Sequence, residues 1–142
     1  MSQQQTSKPS SAQYGTVVGG ISAVVAGLLT ALIGTVLHGQ ILYVGDTPVT
    51  WGAVAALVLA TGFFTLAATY SEKIWAAALA GTLAYGVVAL VSFDSENWLI
   101  VPWSGREFMF GPALAGSVWT FGLVAATVVA LFVSAGVLRR SR

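Results

Sequence analysis

The sequence predicts an all-α integral membrane protein of four transmembrane helices, and three observations carry that reading. Residues 9–45, 47–71, 74–93 and 108–138 contain no Asp, Glu, Lys or Arg. Each stretch meets the roughly 20 residues, at about 1.5 Å of rise apiece, that a spanning helix requires. Hydrophobic residues make up 56% of the chain and charged residues 8%, against roughly 25% charged in a soluble domain. A water-soluble core has no way to hide that much apolar surface. With about 80 to 90 residues inside the bilayer, the chain of 142 leaves no room for a separate soluble domain, so 14–142 reads as one transmembrane domain.

The elements follow in order. Residues 1–13 are mostly Ser, Gln and Thr around a single Lys8, too polar to offset the entropy of ordering, and are expected as a disordered tail. Helix 1 is expected over 14–37. Its apolar run from Val17 to Leu37 is longer than the roughly 7 to 15 residues of a signal-peptide core, so it reads as a retained span. Gly20, Gly27 and Gly34 recur every seven residues, a spacing that keeps them on one face where a second backbone approaches closely. Ile41, Leu42, Tyr43 and Val44 then have strand composition. Gly45, Asp46, Thr47 and Pro48 supply a turn, which together predict a short hairpin lying on the bundle.

Helix 2 is expected over 52–70 and helix 3 over 74–93. The link through Ser71, Glu72 and Lys73 is so short that the two must be antiparallel neighbours. Helix 3 is rich in Ala and contains Gly81, again a surface for close packing. The segment that follows mixes Asp94 and Glu96 with an apolar centre, Trp98, Leu99, Ile100, Val101, Pro102 and Trp103, before Arg106 and Glu107. Six apolar residues are far too few to span, so they are expected at the interface or folded over the helix ends. Helix 4 is expected over 112–138, with Pro112 as its first residue, where a missing N–H costs nothing.

An even number of spans puts Lys8, Lys73, Arg139, Arg140 and Arg142 on one side. The other side holds Arg106 among the acids Asp46, Asp94, Glu96 and Glu107. By the positive-inside rule both termini are cytoplasmic and the two longer loops lie outside. Trp51, Trp98 and Trp103 mark the outer boundary, and Tyr14, Tyr70 and Trp75 the inner one. The two halves also read as helical hairpins of like orientation.

Little in the chain points to chemistry. The absence of Cys excludes disulfides and thiolate sites. His38 is the only His, and a metal there would need Asp46, Asp94, Glu96 or Glu107 at no recognised ligand spacing. It is expected as an interfacial ring facing water and headgroups. The loop carboxylates with Arg106 are expected to solvate and shape their loop. Hydroxyls in the spans, such as Thr30, Thr82, Thr127 and Ser134, are expected to bond within or between helices. A net charge of +1 gives no footprint for nucleic acid, and no cofactor motif is present. Helix 1 lacks the embedded carboxylate on which small multidrug exporters depend.

Three features, Leu37-His38-Gly39, residues 48–52 from Pro48 to Gly52, and Leu99-Ile100-Val101-Pro102 after an acidic stretch, make the chain resemble a family of small actinobacterial four-helix membrane proteins of unknown function. The resemblance covers most of the chain and implies an actinobacterial plasma membrane; it brings no activity with it.

The functional expectation is a non-enzymatic accessory or assembly subunit that packs against another integral membrane protein or against itself. Its contact segment would comprise Trp98, Leu99, Ile100, Val101, Pro102, Trp103 and Arg106, an apolar patch rimmed by charge. The alternative is a small oligomeric carrier or channel for a lipid or weakly polar solute.

Overall fold

The computed structural model describes residues 11–93 and 99–141. It contains helices α1 (Ser11–His38), α2 (Trp51–Ser71), α3 (Trp75–Phe93) and α4 (Phe110–Arg140), with a hairpin of β1 (Leu42–Val44) and β2 (Thr47–Val49) after α1 and a 3-10 turn (Trp103–Gly105) before α4. All four helices are long and apolar enough to cross a bilayer. The chain is an all-α four-helix membrane protein. The 21 residues of α2 and 19 of α3 extend about 32 and 29 Å, close to the roughly 30 Å of hydrocarbon in a bilayer. With 28 and 31 residues, α1 and α4 overshoot it.

Two helix starts differ from expectation by more than one residue. Helix α1 already includes Ser11, Ala12 and Gln13, and α4 begins at Phe110. Polar residues at the wet end of a span extend a helix readily because the backbone hydrogen bonds simply continue. Pro112 is thus the third residue of α4, still within the first turn, where backbone N–H groups have no helical partner.

Helix α1 packs on α2 and α3, and α4 packs on the same two from the far side. Helices α2 and α3 also touch, whereas α1 and α4 barely meet. The seams are made of small residues: Ala23, Ala56, Ala60, Ala76, Ala80 and Ala84 have no exposed surface. In lipid, apolar surface alone does not drive helices together, so close approach of backbones and van der Waals contact must do it. Phe64, Val88, Trp119 and Leu123, all fully buried, fill the space between the seams.

Glycines make the closest approaches. A Cβ at Gly27 would lie 2.8 Å from the Ala80 carbonyl oxygen, one at Gly34 would overlap the Trp119 ring, and one at Gly81 would overlap Thr127. Gly20 is different, with none of the described residues within 4 Å of its would-be Cβ, and the ring of Trp75 lies over Gly19 instead. On this turn the contact is set by α3, whose Trp75 ring reaches Gly19.

Helix α2 ends in a Schellman arrangement, in which the Lys73 N–H donates to the Ala68 carbonyl and the Glu72 N–H to that of Thr69. Glu72 takes the left-handed conformation this requires, with φ of 55°. Glycine adopts that conformation without a Cβ penalty. Replacing Glu72 with Gly is expected to stabilise the bundle by about 1 kcal/mol, read as a higher unfolding midpoint in detergent.

The α2–α3 link marks the end that carries both termini. Gly15 lies 3.3 Å, at a would-be Cβ, from Cε of Lys73, and Leu138 and Arg139 flank the same link residues. The hairpin and the 3-10 turn stand at the opposite end, the loop end.

Candidate functional site

The loop end starts from the hairpin, in which Leu42 pairs with Val49, Tyr43 with Pro48 and Val44 with Thr47. Gly45 and Asp46 form the two-residue turn. Gly45 alone has positive φ there, 62°, as the first position of a type II′ turn demands. Pro48 is tolerated because both strands are edges. The Gly52 N–H donates to the Gln40 carbonyl at 3.1 Å and closes the base of the hairpin. The ribbon leans on α4, where a Cβ at Gly111 would meet the Tyr43 hydroxyl and the Pro48 ring.

The second loop folds back on the bundle. Ile100 and Val101 are 5% and 6% exposed, and the Val101 backbone carbonyl lies against Gly116 of α4. The expectation that these two face a partner is therefore corrected: they cap their own bundle, because the ends of α3 and α4 leave a space that two adjacent apolar side chains fill. Leu99, Pro102, Trp103 and Arg106 do point outward. The Arg106 guanidinium sits 5.5 Å from the centroid of the Trp103 ring, within cation–π range. The Phe110 ring is 6.1 Å from Trp103, tilted by 59°. Trp98, Asp94 and Glu96 lie outside the described residues.

Height decides what this face can touch. Gly122 of α4 packs on Leu57 of α2. Counting back from that contact, α4 runs 12 residues to Phe110 and α2 only 6 to Trp51, so α4 rises about 9 Å beyond the start of α2. Phe108, which is 90% exposed, and Phe110, 51% exposed, thus stand beyond the depth of hydrocarbon that α2 matches. Sequence reading missed Phe108, Met109 and Phe110 as part of this face because they were read as the lead-in to helix 4. A run of three large apolar residues ahead of Gly111 and Pro112 was the available signal.

His38 also departs from expectation. It is 3% exposed, turned away from water. Its Nδ1–H donates to the Thr35 carbonyl, and its ring stacks on Trp119 with centroids 6.1 Å apart and planes 19° apart. The cause is Gly34, whose bare face lets the indole of Trp119 reach α1 and offer the imidazole an aromatic surface. Trp119 was not singled out in the sequence, although it is the one Trp of five far from any predicted span end. Its Nε1, with Thr30 Oγ1 and Ser134 Oγ, is buried without a hydrogen-bond partner among the described residues.

Asp46 and Glu107 are exposed, and the structure does not gather them with His38: among the described residues no three His, Cys, Asp or Glu side chains are placed to share a metal ion. No family model, no curated protein and no solved structure matches the chain.

Proposed function

We propose that this protein is a non-enzymatic assembly subunit of a bacterial plasma-membrane complex, with cytoplasmic termini, that binds another integral membrane protein through its loop end. One observation carries the reading: Phe108, Met109 and Phe110 are exposed above the depth where acyl chains would cover them, with the exposed Trp103 ring beside Phe110. Aromatic surface rimmed by Arg106, Glu107 and Asp46 has the make-up of an interface core with a polar rim. Lys73, Arg139 and Arg140 at the opposite end support the orientation, and the actinobacterial resemblance is in keeping with the plasma membrane. The carrier reading has less support, since Phe64, Val88, Trp119 and Leu123 fill the bundle interior and a path would have to run between copies.

The test is a gentle-detergent pull-down through a C-terminal tag, comparing the wild type with a Trp103→Ala, Phe108→Ala double variant. The expected result is a stoichiometric membrane partner whose capture falls at least about tenfold in the variant, as truncation of two interface aromatics implies. Equal capture by both, or none by either, would sink the proposal.

A further inference from the structure

Helix α3 turns two hydroxyls toward the lipid. Thr82 is exposed, and its Oγ1–H donates to the Ala78 carbonyl at 2.9 Å, which leaves the oxygen lone pairs free to accept. Tyr85 is 39% exposed, and its phenol has no hydrogen-bond partner among the described residues. In water that would mean nothing. In hydrocarbon there is no solvent to satisfy the group.

The phenol cannot escape to the interface. Tyr85 lies eight residues before Phe93 at the end of α3, about 12 Å from it along the axis, farther than a tyrosine side chain extends. Helical Cα–Cβ bonds tilt toward the N-terminus, which sends this side chain deeper, down to about the level of Thr82, one turn earlier. A groove of about 240 Å³ opens beside it between α3 and α4, lined by Gly81, Tyr85 and Thr127 among others.

We propose that this face binds a second copy of the chain, α3 against α3 about a two-fold axis along the membrane normal. Each Tyr85 hydroxyl donates to Oγ1 of the partner's Thr82. Such an axis keeps every residue at the same depth in both copies, so a donor and an acceptor at one level on one face complement themselves. A different partner would need its own acceptor at that depth, whereas a second copy supplies it by symmetry. The surface lies at mid-membrane, apart from the loop end, and does not depend on docking there.

The chain has no Cys, so Ser141→Cys places one fluorophore on each copy in phosphatidylcholine–phosphatidylglycerol vesicles. Energy transfer measured while lipid dilutes the protein then gives the monomer–dimer equilibrium. The wild type is expected to dimerise reversibly, and Tyr85→Phe to dissociate roughly eightfold more readily, the loss of two interhelical hydrogen bonds of average strength. Unfolding of the diluted monomer should be unchanged in the variant, because the hydroxyl bonds no described residue of its own chain. In membranes, Thr82→Cys should form a disulfide-linked dimer far faster than Val58→Cys, a similarly deep position on the exposed face of α2. The proposal is overturned by a wild type that stays monomeric, whether or not another protein co-isolates, by unaltered dimerisation of Tyr85→Phe, or by equal cross-linking at both cysteines.

Discussion

Replacing Trp119 with Ala should cost the bundle about 3 to 5 kcal/mol, the range for truncating a buried large aromatic. The indole is fully buried and is the side chain by which α4 reaches α1, two helices that otherwise barely touch. Its removal opens a cavity that the neighbours cannot collapse to fill, because Gly34 beneath it has no side chain to move. It also strips His38 of the ring on which it stacks. Trp119→Phe should cost far less, since most of the ring contact survives and the lost Nε1 has no hydrogen-bond partner among the described residues to strand. Unfolding of the two variants by SDS titration in mixed micelles separates these outcomes. A Phe variant as weak as the Ala variant would mean that the nitrogen, not the packing, holds the site.

The second large effect is expected at Gly52, where α2 begins. A Cβ there would overlap the Leu37 carbonyl oxygen and come within 2.8 Å of the Gln40 Cβ. These obstacles belong to the end of α1 and the base of the hairpin, and a backbone carbonyl cannot rotate away as a side chain does. Gly52→Leu should therefore part α1 from α2 at the loop end and cost about 3 kcal/mol. It should also break the Gly52 to Gln40 hydrogen bond that closes the hairpin. Gly62→Leu is the matched control: none of the described residues lies within 4 Å of its would-be Cβ, and leucine is the better helix former, so stability should hold or rise slightly. Comparing the two unfolding midpoints checks the claim, and a destabilised Gly62 variant would show that leucine at any helical glycine is harmful here.

The four spans and the hairpin were legible in the sequence because each rests on local chemistry. Uncharged runs long enough to cross a bilayer have few folded alternatives, since lipid leaves the backbone no partner but itself. Gly45 beside Asp46 in a short β-rich stretch likewise names its turn. Charge placement was equally open to reading, with Lys73, Arg139 and Arg140 at one end and Asp46 and Glu107 at the other.

What only the tertiary structure decided is which way side chains face. A seven-residue repeat proposes Gly20, yet the contact falls on Gly19, because the position of the Trp75 ring is set by another helix. Ile100 and Val101 have the same apolar character as Leu99, but they alone are buried, since burial depends on where the ends of α3 and α4 leave room. His38 turned inward for a reason 81 residues away in the chain, at Trp119. Tyr85 and Thr127 are both hydroxyl residues in a span; only packing leaves the phenol facing lipid while Thr127 donates to the Leu123 carbonyl at 2.8 Å. Composition and period determine that a segment is a membrane helix. The direction of each face is a property of neighbours that no local pattern contains.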